Sequence, residues 1–266
     1  MNALAAPTLS IVIPQYRTEQ LIRLCLRALR KYSSLPMEVI VVDNNSGDAS
    51  LDYLRTVPWI KLIENTRAAS LGTQAHKEAL DLGVRAARGD WIMLLHSDTI
   101  FLKTGWDRDM IAEAEQRQVV GFSSVIRDIN RFETPWQRLK RRVRERKLPA
   151  EINQCGEQTK VMSYCFGIQR TVLESLGFSF AERDGDVVSV LFHTLRLANQ
   201  PFWLMGRRFQ ESRLWHTSNA TSILTAQITD SDLVRKYDQK SARLFNAPEI
   251  QSLLADHALD GQTPQP

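Results

Sequence analysis

Short apolar runs rich in β-branched residues alternate, over the first hundred positions, with segments whose apolar residues recur every three to four. Leu9–Pro14 (LSIVIP) is such a run, stops at a proline, and predicts a buried strand. Leu21, Leu24, Cys25, Ala28, Leu29 and Tyr32 then fall at helical spacing and predict an amphipathic helix over Thr18–Tyr32. Val39–Val42 predicts a second strand, closed by the turn cluster Asp43-Asn44-Asn45-Ser46-Gly47-Asp48. A short helix over Ser50–Arg55 and a third strand at Lys61–Glu64 follow. Ala75, Ala79, Leu82 and Ala86 mark a helix ending near Gly89, and Trp91–Leu95 is a fourth strand, stopping at His96-Ser97-Asp98.

Strands alternating with helices of this length imply an α/β fold with a mostly parallel sheet and right-handed crossovers. Ligands of such sheets sit beyond the carboxyl ends of the strands. Here those ends are Pro14–Tyr16, Asp43–Ser46, Glu64–Arg67 and His96–Asp98, each polar where the strand before it is apolar. The first strand is followed by Pro14-Gln15-Tyr16-Arg17, with no GxGxxG, and no GxxxxGK[ST] occurs anywhere. A classical dinucleotide fold and a P-loop NTPase are therefore set aside. Phosphate has to be held by something else, most simply a metal.

Composition changes this picture little. The chain has 266 residues, 43% hydrophobic and 24% charged, near the average of a globular protein, which argues against disorder and fibrous structure. Three cysteines, Cys25, Cys155 and Cys165, show no motif spacing and read as reduced thiols of a cytosolic protein. Met1–Pro7 lacks the charged start of a signal peptide, and no apolar run approaches the roughly 20 residues that span a bilayer. Charge is more informative, because it is uneven. Between Arg127 and Lys147 nine basic residues face three acidic ones, a local +6 within an overall +4, so the remainder carries −2.

The ordered set IVIPQY, EVIVVDNNSGD, SLG, ARGDWIMLLHSD, VMSYCFGIQRTV, LGFSF, DGDVVSVLFHTLR and LWHTS resembles the family 2 glycosyltransferases of the GT-A fold, over Leu9–Ser218 with a gap at the basic segment. The resemblance implies a mostly parallel Rossmann-like sheet flanked by helices. It also implies an organisation into a tail (1–8), a GT-A domain (9–233) and a C-terminal helical extension and tail (234–266). Within the domain, 9–126 would bind the nucleotide sugar, 127–158 would be a basic insertion, and 159–233 would form the acceptor and catalytic half. Pro14, Tyr16 and Glu19 match the positions near the nucleobase, and Asp43 matches the acceptor of the base's imide N–H. From the turn alone, Asp43 reads equally as a capping residue. Gly72 is what remains of a usual Asn-x-Gly that approaches the donor, and Arg67 stands where a basic side chain can meet the phosphates.

The same resemblance places a divalent cation, Mn or Mg, at the end of the fourth strand, where the family carries Asp-x-Asp or a variant. Asp98 matches the ligand position, and His96 stands in place of the first acid. An imidazole suits transition metals better than magnesium, so His96 serves either as a ligand tilting the site toward manganese or as a neutral hydrogen-bonder. His216 matches a histidine that completes the metal shell in some members; beside Trp215 it also reads as a core histidine. The resemblance also implies a base for an inverting transfer, and the matching region is Glu182-Arg183-Asp184-Gly185-Asp186. Asp186, ahead of the apolar run Val187, Val190, Leu191 and Leu195, is favoured over Asp184, which alternatively caps the helix with Asp186 in its first turn.

The implied partners are a nucleotide-diphosphate sugar and a glycan or lipid-linked saccharide of a bacterial surface polymer. Thr134–Pro149 (TPWQRLKRRVRERKLP), with Trp136, Leu139 and Val143 at i, i+3 and i+7, reads as a solvated helix, an anionic-acceptor clamp or a membrane-surface helix. No RNA-binding motif accompanies it, so nucleic acid is not expected. The implied location is the cytoplasm, including the inner face of the plasma membrane. Two rivals stand beside this reading: a sugar nucleotidyltransferase, which usually needs a Gly-rich basic loop after the first strand, and a degenerate nucleotide-sugar-binding partner.

Overall fold

A computed structural model describes residues 7–66, 72–126, 129, 136, 139, 149, 152–216, 220–224 and 229–261 of the chain. The four apolar runs form neighbouring strands, β1 (Leu9–Gln15), β2 (Met37–Asp43), β3 (Lys61–Glu64) and β4 (Trp91–Leu95). They are parallel, in the order β3-β2-β1-β4. The register pairs Gln15 with Asp43 and Asp43 with Glu64, so the polar residues that end the strands share one sheet edge. Side chains of β1 and β2 alternate between two cores. Ile11, Ile13, Val39 and Val41 enter one, and Val12, Ile40 and Val42 the other. Burial on both faces explains why these strands read as unbroken apolar runs.

The parallel pattern is interrupted once. β5 (Ile100–Phe101) follows β4 outside the main sheet, and β6 (Gly121–Ser123) rejoins it. β7 (Cys165–Gln169) then runs antiparallel between β4 and β6, and β8 (Phe202–Leu204) closes the edge parallel to β6. The reversal brings the start of β7 to the end of β4: Leu95 pairs with Cys165, and the His96 amide donates to the Tyr164 carbonyl at 3.3 Å. β5 pairs antiparallel with β9 (Leu214–Trp215).

Helices among the described residues include α1 (Glu19–Tyr32), α2 (Ala49–Arg55), α3 (Thr73–Ala86), α4 (Trp106–Gln116), α5 (Arg170–Ser175), α6 (Val187–Leu197), α7 (Arg207–Glu211), α8 (Ala220–Leu224), α9 (Ser231–Phe245) and α10 (Pro248–Ala255). α3 lies against β1 and β2, so close that a Cβ at Gly83 would collide with Val12. α1 packs on the opposite core, and its own outer side is covered by α10 and the 3-10 turn His257–Asp260. Helical spacing reads Arg27 as a polar-face residue of α1, yet its side chain is fully buried beneath this C-terminal cover.

A buried guanidinium is tolerated only with partners. Arg27 Nε donates to Asp260 Oδ1 at 2.9 Å and Nη2 to Asp260 Oδ2 at 2.5 Å, while Nη1 meets the Leu254 carbonyl. Tyr53 Oη donates to Asp260 Oδ1 at 2.8 Å, and Trp59 Nε1 to the Leu259 carbonyl at 3.1 Å. The segment up to residue 261, for which the sequence suggested no role, is thus a clasp on α1 and α2. Asp260→Ala leaves Arg27 buried without its counter-charge, and is expected to lower unfolding free energy by about 3 kcal/mol in urea titration. Burial alone would raise the Asp260 carboxyl, but donation from Arg27 and Tyr53 holds it below the usual carboxylate range. A pKa depressed on folding contributes stability above the unfolded value, and that contribution fades as pH falls through the folded one. The gap between wild type and Asp260→Ala should therefore be full at pH 7 and shrink below about pH 4.

Among the described residues no helix is long and apolar enough to cross a membrane. Cys25, Cys155 and Cys165 are buried thiols outside any disulfide among the described residues. Most of the basic stretch 134–149, Val143 included, lies outside the described residues. Trp136 and Leu139 are helical and exposed, 63% and 53%.

Candidate functional site

The polar end of β4 turns back at once, with the Thr99 amide donating to the His96 carbonyl at 3.0 Å, and Asp98 is left pointing inward at 3% exposure. His216 arrives from 118 positions downstream through the β5–β9 pair, then through a bridge in which His216 and Ile129 exchange both backbone hydrogen bonds. His216 Nδ1 stops 3.3 Å from Asp98 Oδ1, and His96 Nδ1 lies 3.9 Å from the same oxygen. One ligand atom from each of His96, Asp98 and His216 lies within 4.8 Å of the others.

Two observations fit this cluster to a cation. Asp98 Oδ1 and His216 Nδ1 are buried and, among the described residues, have no hydrogen-bond partner, a state that costs about 1–3 kcal/mol per group unless a ligand meets them. The protonation states also suit. Burial alone would raise the Asp98 carboxyl, but His216 and then His96 hold it below the usual range, so it is ionised. Burial pushes the His96 imidazole down against the pull of Asp98, which leaves it neutral. His96 Nε2 lies 2.8 Å from Ser163 Oγ, so with that hydroxyl accepting, the Nδ1 lone pair faces Asp98. His216 is stacked on Tyr164, ring centroids 4.0 Å apart, and the Tyr164 hydroxyl is tied to the Ile126 carbonyl and Gln210 Oε1. An ionised carboxylate with two imidazoles is a donor set suited to a divalent cation.

Ser163 also opens onto a cleft of about 450 Å³, whose wall includes His76, Lys77, Asp186 and Val187. That volume is ordinary for a small-molecule site, roughly 300–1,000 Å³. Asp186 is the N-cap of α6: it accepts from the Ser189 amide at 3.4 Å and from Ser189 Oγ at 3.1 Å. The alternative in which Asp184 caps the helix is thereby corrected, since Gly185, at φ +75°, turns the chain so that Asp186 takes that place. Asp184 is exposed and does not line the cleft. α3 holds the segment before Asp186 from below. Buried Asp81 accepts from Ser179 Oγ, the Phe180 amide and the Ala181 amide at 2.8–3.0 Å, and Lys77 Nζ donates to the Arg183 carbonyl at 2.6 Å.

Along the sheet edge, Asp43 is fully buried and accepts from the Ser46 amide at 2.9 Å and Ser46 Oγ at 2.5 Å. Burial pushes its carboxyl up, with Ser46 opposing. Asp43 is therefore a turn former, whatever else it contacts. Ser46 Oγ also accepts from the Arg17 amide at 3.1 Å, which ties the loop after β1 to the loop after β2. Pro14 and Tyr16 are half-buried there. Glu19 opens α1 and pairs with Arg23 at 2.9 Å. Gly72, at φ +86°, starts α3, and Arg67 lies outside the described residues.

Ser46, His76, Lys77, Asp81, Ser163 and Tyr164 were not singled out by sequence reasoning. Each acts through a partner remote in sequence or sits alone among helical neighbours, so no spacing marks it. The turn chemistry of DNNSGD was the one available signal, for Ser46.

Among the described residues, a mostly parallel sheet with one reversed strand, an Asp/His cluster beyond β4 and a cleft beside it make a fold of the GT-A type. The model of the family described as Glycosyl transferase family 2 matches residues 10–177, more than half of the chain, and the chain belongs to that family. The putative glycosyltransferase EpsH of Bacillus subtilis (strain 168) is 32% identical over 92 residues, 35% of this chain and 26% of its own length. The PGL/p-HBAD biosynthesis glycosyltransferase of Mycobacterium tuberculosis (strain ATCC 25177 / H37Ra) is 29% identical over 104 residues, 36% of this chain and 37% of its own. The chain thus spans well under half the length of these curated relatives. Among solved structures, S. aureus TarS 1-349 in complex with UDP-GlcNAc superposes with TM-score 0.58 at 14% identity, covering 94% of this chain and 71% of that one. The mannosyltransferase PcManGT of Pyrobaculum calidifontis, with GDP-Man and Mn2+, gives 0.55 at 19% identity, covering 98% and 77%. At these identities the likeness shows the fold.

Proposed function

We propose that this chain is an inverting glycosyltransferase that moves a sugar from a nucleotide-diphosphate donor to a glycan or lipid-linked saccharide in bacterial surface polysaccharide synthesis. The observation that carries it is the juxtaposition of the His96/Asp98/His216 cluster with the cleft containing Asp186. His96, Asp98 and His216 would hold a divalent cation, manganese by their imidazole content or else magnesium. When bound, such a cation supplies charge neutralisation for the departing diphosphate.

Asp186 takes the proton from the acceptor hydroxyl as that oxygen bonds to the anomeric carbon. The bond from that carbon to the diphosphate oxygen breaks on the opposite face, and the electron pair leaves with the nucleotide. Asp43, Pro14, Tyr16 and Glu19 would seat the base, and Gly72 and Arg67 the phosphates. Asp184 remains a surface acid beside the base. The +6 segment supplies a surface for an anionic acceptor or for the inner face of the plasma membrane, with the body of the enzyme in the cytoplasm.

The donors named for TarS and PcManGT, UDP-GlcNAc and GDP-Man, support a nucleotide sugar. The replacement of the first acid by His96 favours a second reading, a degenerate binding partner. Incubation with a panel of nucleotide sugars, with and without manganese or magnesium, separates them by free-nucleotide release. Cation-dependent release supports transfer, and tight binding without release supports the partner. Pyrophosphate-dependent turnover would make the chain a nucleotidyltransferase.

A further inference from the structure

His76 lies on the helix that carries Lys77 and Asp81, and it lines the cleft together with Lys77. Its ring stands edge-on to His96, with centroids 5.7 Å apart and planes at 88°. Asp186 lines the same cleft. Among the described residues neither of its ring nitrogens has a hydrogen-bond partner, although nearly every other polar side chain around the cleft has one. Lys77 holds the Arg183 carbonyl, Ser163 holds His96, and Asp186 caps α6.

This places His76 between the two ends of the reaction. In a transfer with inversion the anomeric carbon has the leaving oxygen on one face and the incoming hydroxyl on the other. The leaving diphosphate belongs at the His96/Asp98/His216 cluster, and the incoming hydroxyl at Asp186. The sugar ring must then occupy the gap that His76 borders. A neutral imidazole presents one N–H donor and one lone pair, the complement of a sugar hydroxyl, which also donates and accepts.

We infer that His76 hydrogen-bonds a ring hydroxyl of the transferred sugar and sets which sugar the enzyme accepts. The inference rests on the proposed roles of the cluster and of Asp186, and it commits the donor to a hydroxyl-bearing glycosyl unit. Lys77, the neighbouring residue, serves the protein's own backbone and is not part of this contact.

The test is equilibrium binding by calorimetry, which does not depend on turnover. Affinities are measured for the nucleotide sugar that the donor panel identifies as tightest, for its single-deoxy analogues and for the free nucleoside diphosphate. Wild type should bind one deoxy analogue about 30- to 100-fold more weakly than the parent, the scale of a buried hydrogen-bonding group left unpaired. In His76→Ala that penalty should collapse to under about three-fold, with free-nucleotide affinity unchanged. His76→Gln, which keeps a donor and an acceptor, should restore part of the penalty and serves if the alanine variant folds poorly. Deoxy penalties that are the same in wild type and both variants would overturn the inference. Loss of free-nucleotide binding in both would overturn it too, because His76 would then be seating the nucleotide. If wild type binds the donor and shows the His76-dependent penalty but releases no nucleotide with any acceptor, the transfer reading fails and the sugar contact stands.

Discussion

Asp186→Asn should cut the turnover number about 1,000-fold, within the 10²–10⁴ range of a positioned general base, while the donor KM stays within about two-fold. The substitution is clean because of where Asp186 sits. As the N-cap of α6 it accepts from the Ser189 amide, and asparagine caps a helix about as well as aspartate, so fold and position are retained while basicity is lost. Asp186→Ala would mix the two effects, since it also removes the cap, at a cost of about 1 kcal/mol. Asp184→Asn is the control. That side chain is exposed and outside the cleft lining, so its turnover should stay within about two-fold of wild type. Steady-state kinetics with the preferred donor reads all three. A profile in which Asp184 carries the large loss would move the base two residues upstream.

Asp98→Asn should abolish cation binding and lower turnover by at least about 1,000-fold, the scale of losing the main electrostatic stabilisation of a leaving group. The prediction has a part that activity does not report. Asp98 keeps an ionised carboxylate almost wholly buried beside His216, with one oxygen unpaired, which is unfavourable for the empty protein. The amide that replaces this carboxylate carries no charge, so without metal the variant should melt at or above the wild-type temperature. Adding manganese should raise only the wild type, by the linkage of binding to folding, about 2.7 kcal/mol at 100 times the dissociation constant. Differential scanning calorimetry with and without the ion makes the comparison. An equal shift in both proteins would show that the ion binds elsewhere.

How much of this was legible in the sequence depends on distance along the chain. The four parallel strands announce themselves because each is a short β-branched run cut off by a turn, and chain order then fixes their polar ends at one edge. The reversal of β7 was not legible, because an apolar run such as Cys165–Gln169 carries no sign of direction. That reversal is what sets Ser163 and Tyr164 beside His96. Asp98 and His216 were named by resemblance, but their meeting depends on β5, β9 and the Ile129 bridge, none longer than two residues. Arg27 looked like a solvent-facing helix residue because its partner, Asp260, lies 233 positions away. His76 carried no signal at all: a single histidine on a helix becomes informative only when His96 is found against its ring and Asp186 in the same cleft.

The account stands on Asp186 acting from the face opposite the departing nucleotide, and stereochemistry reads that directly. The transferred sugar, or the sugar released to water in the absence of acceptor, is followed by proton NMR from the first minutes, before free sugar equilibrates between anomers. From an α-linked donor the first product should be the β anomer, formed by wild type and suppressed in Asp186→Asn. An α product from the same donor would contradict the account.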